Sequence, residues 1–253
     1  AQIREVARAV AGGLARAGVE PGDSVAILAG DAADVAVLVQ ATWMRGASFT
    51  MLHQPTPRTN LETWLADTLE VIRMLDARVL AVGEPFTEAV RSLALGVPIV
   101  PVDELANAAA LSHVHTGEDD LAIQQLTSGT TGVPKAVTIS YRNIDANQNA
   151  MVTAARFTSD KVTVSWLPLY HDMGMVGMLL TPMLAQATTV ITNPLAFLKN
   201  PLSWAELITK FGGNLTAAPN FAYSVLARRL RRAPDGAYDL SSLTVAVKDE
   251  LAR

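Results

Sequence analysis

The sequence contains no cysteine, and this absence excludes several kinds of chemistry at once. Without thiols the chain has no disulfides, no thiol nucleophile and no cysteine–metal site. Aromatic residues are also scarce, at 6% of the 253 residues, whereas hydrophobic residues make up 50%. A chain of this length can bury a substantial core, which aliphatic side chains and alanine-rich helices must build.

Charge and long apolar runs are equally limited. The formal net charge is -4, so nothing indicates the basic surface of a nucleic-acid-binding protein. The most apolar stretch, 173–191, is interrupted by Pro182 and Gln186 and is a poor candidate for a transmembrane segment. The sequence opens on a helical pattern without a signal peptide. We therefore expect a cytoplasmic protein with no nucleic-acid partner and no transmembrane segment.

The first hundred residues alternate between helical and strand patterns. Apolar residues recur at helical spacing over 3–14, 31–44, 61–75 and 84–95, and short apolar runs occupy 24–30, 47–52, 78–82 and 98–102. This alternation predicts an α/β fold of stacked, mostly parallel sheets covered by helices. The segment 106–120 loses the periodicity and is interpreted as a linker, its His113 and His115 as solvated rather than metal-binding. The predicted division is a first α/β subdomain over 1–110 and a second over 111–253.

A loop rich in hydroxyls and glycine lies between predicted strands at 121–126 and 135–140. It comprises Thr127, Ser128, Gly129, Thr130, Thr131 and Gly132, and Lys135 follows three residues later. Glycines let backbone N–H groups approach an anion, hydroxyls add donors, and a lysine adds a positive charge. The loop therefore suits a polyphosphate, with an ordinary surface turn as the alternative. It is not a Walker loop, because Gly129 plus five residues reaches Pro134 rather than a Gly-Lys pair.

A helix is predicted over 141–156, with Ile144, Met151 and Ala155 inward and Asn143, Asn147 and Gln148 on the polar side. A strand at 161–167 follows.

The stretch 168–180, PLYHDMGMVGMLL, is the second informative segment. Asp172 can cap a helix rich in methionine and glycine. Gly174 and Gly177 lie three residues apart and leave one helix face smooth, which fits either close backbone packing or an extended alkyl chain. Glycines alone favour packing, and a single histidine such as His171 is more often structural.

Residues 127–135 closely resemble the phosphate-binding loop of the adenylate-forming superfamily. This superfamily includes acyl-CoA synthetases, fatty-acyl-AMP ligases, luciferases and peptide-synthetase adenylation domains. The stretch from Pro168 to Gly174 is similar to the second core motif of these enzymes, and WLPLYHDMG is closest to the form in fatty-acyl-AMP ligases. A third stretch, 216–230, is similar to the strand and helix that line their acyl pocket. The resemblance implies the large N-terminal domain of such an enzyme.

The resemblance also implies an activity and its site. We expect ATP-dependent activation of a medium- or long-chain fatty acid as acyl-AMP, with release of pyrophosphate and transfer to an acyl carrier protein. The cofactors would be ATP and Mg²⁺, with the metal ligand outside this chain. The loop 127–132 would bind the ATP phosphates, and Lys135 and His171 are the expected catalytic residues. The expected acyl-pocket residues are Tyr170, Gly174, Met175, Pro219, Asn220, Phe221 and Tyr223.

The chain departs from the family pattern in ways that leave alternatives open. Lys135 is absent from many fatty-acyl-AMP ligases, and many CoA ligases have glycine where Ala136 stands, so a fatty-acyl-CoA synthetase is the first alternative. After residue 247 the sequence reads KDELAR in place of the adenine-binding Ser-Gly-Ala/Gly-Glu turn. The Tyr-Gly-x-Thr-Glu stretch, the ribose-binding Asp and the C-terminal catalytic Lys are also missing. We therefore expect a truncated N-terminal portion that does not complete catalysis alone; a non-catalytic nucleotide- or acyl-binding module is the second alternative, and an unrelated α/β nucleotide-binding protein the third.

Overall fold

The computed structural model describes residues 2–56, 58–91, 93, 95–127 and 135–249. Contacts within the chain divide it into two units, Ala1–Asp145 and Ala146–Arg253. One helix, α6 (Tyr141–Ala154), contains the point of division.

The first unit is organised around a six-stranded sheet. Its strands are β1 (Ser24–Leu28), β2 (Ser48–Met51), β3 (Ala77–Val82), β4 (Ile99–Pro101), β5 (Leu121–Thr127) and β6 (Lys135–Ser140). Its helices are α1 (Gln2–Arg16), α2 (Ala32–Met44), α3 (Leu61–Met74), α4 (Thr87–Val90) and α5 (Val102–Leu105). The strand order is β4-β3-β1-β2-β5-β6. Neighbouring strands are parallel except β5 and β6, which are antiparallel.

The central strands of this sheet are buried on both faces, as is usual for a parallel sheet covered by helices. Every residue of β1 and β2 is buried. Helix α2 begins where Asp31 accepts hydrogen bonds from the backbone N–H groups of Ala33 and Asp34, as an N-cap residue does. The predicted helix 84–95 is wrong in length, since among the described residues of that range only α4 is an α-helix. Its N-cap position holds Phe86, whose side chain makes no capping hydrogen bond.

The second unit contains a four-stranded parallel sheet of order β10-β9-β7-β8. Its strands are β7 (Val162–Ser165), β8 (Thr188–Ile191), β9 (Leu215–Pro219) and β10 (Val245–Asp249). The helices are a π-helix (Met173–Leu180), α7 (Thr181–Leu184), α8 (Pro194–Lys199), α9 (Leu202–Phe211) and α10 (Asn220–Leu230).

The core of this second unit contains a cluster of packed aromatic rings. Trp166 stacks on Phe197 with ring centroids 4.1 Å apart, and Trp204 meets both rings edge-on. The indole Nε1 of Trp204 donates to Thr216 Oγ1 at 3.0 Å, and that hydroxyl donates to the Val164 carbonyl at 2.6 Å. The buried indole and hydroxyl are thus both satisfied, which offsets the cost of burying them.

The predicted fold class is confirmed: both sheets are mostly parallel and helices alternate with the strands. The division of the chain differs from the predicted one, falling after Asp145 rather than after residue 110. The reason is that β5 and β6 join the first sheet, β5 pairing with β2 through Ile123 and Phe49. Among the described residues, no helix combines the length and apolar character that a membrane crossing needs.

Candidate functional site

The two described ends of the predicted phosphate loop lie side by side. Thr127 ends β5 and Lys135 begins β6, and the two residues are paired in the antiparallel register. The hydroxyl of Thr127 lies 3.5 Å from the Lys135 carbonyl oxygen, and both residues are exposed. The other predicted phosphate-binding residues lie outside the described residues; they are Ser128, Gly129, Thr130, Thr131 and Gly132.

The first sheet also has a topological switch point, between β1 and β3, where open α/β sheets commonly bind ligands. Here the protein's own groups occupy that position. The Glu84 carbonyl accepts hydrogen bonds from the backbone N–H groups of Gly30 at 2.7 Å and Asp31 at 2.9 Å. The Glu84 N–H donates to Asp34 Oδ2 at 2.9 Å. These N–H groups are therefore already bonded within the protein, and the switch point does not offer them to a phosphate.

Burial perturbs the carboxyl group at this position. Asp34 is half-buried, and its desolvation raises its pKa, which the hydrogen bond from Glu84 partly opposes. The negative charges of Asp31 and Glu84 raise the pKa further.

In the second unit, Asp172 holds the ring of His171. The Nδ1 atom of His171 is 2.7 Å from Asp172 Oδ1, and the same oxygen accepts the Met173 N–H at 2.7 Å. Met173 N also lies 3.4 Å from Nδ1, but the carboxylate is the closer and stronger acceptor. A proton on Nδ1 directed at Asp172 leaves Nε2 as an acceptor in the neutral ring. Asp172 therefore both caps the π-helix and orients His171.

The π-helix that follows His171 is a rare element, frequently found at functional sites. Its two glycines have different surroundings. A Cβ at Gly174 would lie 2.2 Å from the Pro168 carbonyl oxygen, whereas a Cβ at Gly177 would meet only Met151 Cε, at 3.8 Å. Close packing thus explains Gly174, while Gly177 keeps a space open.

That space is an apolar cavity of about 370 Å³ lined by α6, the π-helix, α7, β9 and β10. Three methionines line it, Met151, Met173 and Met178, together with Gly177, alanines, valines and other apolar residues. Thr181 is the only lining residue among these with a polar side chain. Thioether side chains adapt to ligands of different shape, so the cavity suits an apolar chain.

The predicted acyl-pocket residues occupy several environments, and none of the seven, all described, lines this cavity. Gly174 and Met175 are buried, and Tyr170 is half-buried, which raises the pKa of its phenol. Pro219 ends β9, and Asn220 and Phe221 begin α10. Phe221 is 55% exposed.

Tyr223 instead belongs to the aromatic core of the second unit. Its ring lies 5.2 Å from that of Trp204, and its hydroxyl donates to the Val247 carbonyl at 2.7 Å. Burial raises the pKa of Tyr223 to about 12.

The sheet nevertheless brings part of the predicted site together. Strands β7 and β9 are parallel neighbours, paired through Thr163 and Leu215. The segment 166–172 follows the carboxyl end of β7, and Pro219 and Asn220 lie at the carboxyl end of β9. Ligands of open α/β sheets bind outside this edge. His171 and Asn220 are both exposed there, and Met173 connects the His171 segment to the cavity.

The prediction that Gln148 lies on the polar side of its helix is wrong. Gln148 is only 4% exposed, while Asn147 beside it is exposed. The signal was the spacing: Gln148 precedes Met151 by three residues and Ala155 by seven, so all three share one helix face. Gly177 lines the cavity although it was not among the predicted site residues.

Comparisons with known proteins agree with this architecture. Residues 1–250 match the AMP-binding enzyme family. A Mycobacterium tuberculosis protein named "Putative ligase Rv1013" is 52% identical over 249 residues, covering 97% of this chain and 46% of that protein. The medium-chain-fatty-acid–[acyl-carrier-protein] ligase TtuA of Teredinibacter turnerae is 39% identical over 130 residues, covering 51% of this chain and 20% of TtuA.

A solved structure agrees too. The fatty acyl-adenylate ligase of L. pneumophila, in complex with acyl adenylate and pyrophosphate, has a TM-score of 0.89 at 28% identity, covering 98% of this chain and 43% of that one. The chain thus spans less than half the length of these relatives. Since the family match extends over nearly all of its residues, the chain belongs to the AMP-binding enzyme family.

Proposed function

We propose that this chain is part of an enzyme that uses ATP to activate a medium- or long-chain fatty acid as acyl-AMP, for transfer to an acyl carrier protein. The observation that carries the proposal is the apolar cavity beside Gly177, which Met173 joins to the segment holding His171. The names of the relatives support it: TtuA is a fatty-acid–carrier-protein ligase, and FadD26 of Mycobacterium bovis, 36% identical over 137 residues, is a long-chain-fatty-acid–AMP ligase.

In the proposed reaction a carboxylate oxygen attacks the α-phosphorus of ATP. The new O–P bond makes the mixed anhydride, the bond between the α-phosphorus and the bridging oxygen breaks, and pyrophosphate leaves with that electron pair. No proton transfer is needed, because the acid is ionised at neutral pH. Catalysis then depends on stabilising phosphate charge and on alignment.

The residues have separate roles in this proposal. Thr127 and Lys135, with Ser128, Gly129, Thr130, Thr131 and Gly132 between them, bind the β- and γ-phosphates and balance their charge. His171 shapes the site where the carboxylate reacts, and Asp172 fixes its ring. Tyr170, Pro219, Asn220 and Phe221 surround the first carbons, while Gly174 and Met175 hold the π-helix in place for them.

Magnesium would accompany the phosphates of ATP. The described residues contain no cluster of three or more histidine and acidic side chains able to hold a metal ion. No step proposed for these residues therefore runs through a protein-bound metal.

The acceptor distinguishes two versions of the proposal. An acyl-CoA synthetase is the second candidate, because a Caulobacter vibrioides protein named as an acyl-CoA synthetase is 30% identical over 246 residues and matches 95% of this chain. Mass spectrometry of products formed from MgATP, a fatty acid and either CoA or a carrier protein separates the two. Acyl-AMP that CoA does not consume supports the carrier-protein ligase, whereas acyl-CoA supports the synthetase.

The cavity itself is tested by fatty-acid binding to the 253-residue chain, measured by isothermal titration calorimetry. Gly177→Leu places a branched side chain in the cavity and is expected to weaken binding of a long acid at least about tenfold, since the space it fills is the space the acid needs. Gly177→Ala is the matched control and should bind with near wild-type affinity. Equal affinities for the wild type and Gly177→Leu would show that the acid binds elsewhere.

A further inference from the structure

We infer that a second cavity, in the first unit, binds a small organic phosphate that carries hydroxyl groups. This cavity has a volume of about 510 Å³, within the range of about 300–1,000 Å³ that is usual for ligand pockets. Three segments of the chain line it. The lining residues are Arg4, Glu5 and Arg8 of α1, Met44 of α2, and Ser112 and His113 of the segment 106–120.

Backbone hydrogen bonds on both sides fix the two residues that this last segment contributes. The Leu111 N–H donates to the Arg8 carbonyl at 2.8 Å, and the Val114 N–H donates to the Met44 carbonyl at 2.9 Å. The segment has neither a helical nor a strand pattern, yet it is held between α1 and the end of α2. The cavity is therefore built from three parts of the chain that are bonded to one another.

Two arginines give the cavity its positive charge. Arg4 and Arg8 are four residues apart, so their side chains are neighbours on one face of α1. Among the described residues, neither guanidinium forms an ion pair with a carboxylate, although the chain has 24 acidic residues against 20 basic ones. Like charges at this spacing destabilise a helix, and an anion bound by both arginines removes that repulsion.

The other groups indicate what the anion carries. The Nε atom of Arg8 donates to the Leu111 carbonyl at 3.4 Å, which leaves the two terminal nitrogens of the guanidinium for a ligand. Such N–H groups match the oxygens of a phosphate, and the Ser112 hydroxyl adds another donor. An ionised carboxylate such as that of Glu5 only accepts hydrogen bonds, so it fits a ligand hydroxyl and disfavours a second phosphate. Met44 supplies an apolar contact for the carbon skeleton.

The sheet separates this cavity from the predicted phosphate loop. Met44 ends α2 and β2 begins at Ser48, so the cavity lies near the amino end of β2. Strand β5 is parallel to β2 and ends at Thr127, at the opposite edge of the sheet. The seven residues of β5 span about 20 Å, so one phosphate group cannot contact both Arg8 and Thr127. A ligand here is additional to the phosphates that the loop would bind, and it does not depend on the proposed function.

Isothermal titration calorimetry on the 253-residue chain tests this site, with glucose 6-phosphate, inorganic phosphate and glucose as probes. We expect glucose 6-phosphate to bind more tightly than inorganic phosphate, and glucose not to bind. The double variant Arg4→Gln/Arg8→Gln should weaken binding of glucose 6-phosphate at least about tenfold, because it removes charge-assisted hydrogen bonds. The matched control Arg228→Gln/Arg232→Gln removes two charges at the same spacing from exposed positions of the second unit. Its affinity should stay within about twofold of the wild type, since charges that far away are screened.

The four histidines of the chain provide a second measurement. The NMR signal of His113, assigned with His113→Gln, should shift when glucose 6-phosphate is added to the wild type. It should not shift when the same probe is added to Arg4→Gln/Arg8→Gln. The other signals of that double variant should match those of the wild type, which verifies that the variant is folded.

The variant Lys135→Ala distinguishes this cavity from the phosphate loop. Binding that survives in Lys135→Ala and is lost in Arg4→Gln/Arg8→Gln supports the inference. Binding that is lost only in Lys135→Ala would mean that the phosphate binds at the loop; this result overturns the inference and leaves the proposed function standing. Equal affinities for glucose 6-phosphate and inorganic phosphate overturn the organic nature of the ligand, and a failure of both to bind overturns the site.

Discussion

Replacing each of the two π-helix glycines with alanine tests the structure at the centre of the proposed site. The variants Gly174→Ala and Gly177→Ala add the same methyl group, three residues apart on one helix. Both gain about 1 kcal/mol or less from the preference of helices for alanine over glycine. The difference between them therefore isolates what each new Cβ meets.

The surroundings set the size of that difference. At Gly174 the Cβ would lie 2.2 Å from the Pro168 carbonyl oxygen and 2.9 Å from its carbon, and both are backbone atoms. Either the His171 segment or the helix must move, and overpacking of this kind typically costs about 1–3 kcal/mol. At Gly177 the new methyl meets one flexible methionine terminus at an ordinary distance of 3.8 Å. We expect Gly174→Ala to be less stable than Gly177→Ala by about 1–3 kcal/mol.

Urea unfolding followed by tryptophan fluorescence measures this difference, because Trp166 and Trp204 report on the same unit. The m-values should stay equal, so that the shift in midpoint reports stability alone. Equal midpoints for the two variants would refute the close contact between Gly174 and Pro168 as the reason that glycine is needed at position 174.

Three further predictions follow from buried polar groups. Thr216→Val leaves Trp204 Nε1 and the Val164 carbonyl without their partner and should lower the free energy of unfolding by about 2–4 kcal/mol; a loss no greater than that of the exposed control Thr188→Val would contradict this network. Asp34→Asn keeps an oxygen for the Glu84 N–H and removes a charge whose pKa burial raises above 3.8. Wild-type stability should therefore fall relative to Asp34→Asn as the pH rises through that raised pKa, and parallel stability–pH curves would exclude this effect. Because the pKa of Tyr223 is raised from 10.0 to about 12, the wild type should lose stability between these pH values more steeply than Tyr223→Phe; identical alkaline unfolding curves would show that the phenol is not buried.

Much of the fold is predictable because its signals are local. The run from Val25 to Leu28 is apolar, and it forms most of a strand whose residues are all buried. The boundary between the two units could not be predicted from local sequence patterns. It depends on the pairing of β5 with β2, which lies about seventy residues earlier. No element was predicted over 181–215. Within it α7, α8 and the edge strand β8 span too few residues to show a period.

The site divides in the same way. His171 as a site residue and Asp172 as a helix cap could be predicted from the sequence. Both roles are local, because Asp172 contacts only its neighbours His171 and Met173 in these interactions. The sequence could not distinguish the roles of Gly174 and Gly177, because these roles depend on their neighbours in space. Gly174 lies against the Pro168 backbone, whereas Gly177 faces Met151 Cε. Gln148 is polar in type but buried, because it shares a helix face with Met151 and Ala155; residue type was here a poorer guide than spacing.

In the proposed function, the π-helix connects the part of the site that holds the carboxylate to the cavity that holds the chain. Asp172 at its start holds the His171 ring, and Thr181 directly after its last residue lines the cavity. A π-helix carries one more residue per hydrogen-bonded ring than an α-helix, so deleting one residue between these ends would change both the hydrogen-bonding pattern and the orientation of the chain beyond it. Under the proposed function, the spacing between the site of the carboxylate and the cavity for the chain therefore depends on the number of residues in this helix, which is eight. A single-residue deletion there should change which acids react even where no contact to the substrate is lost.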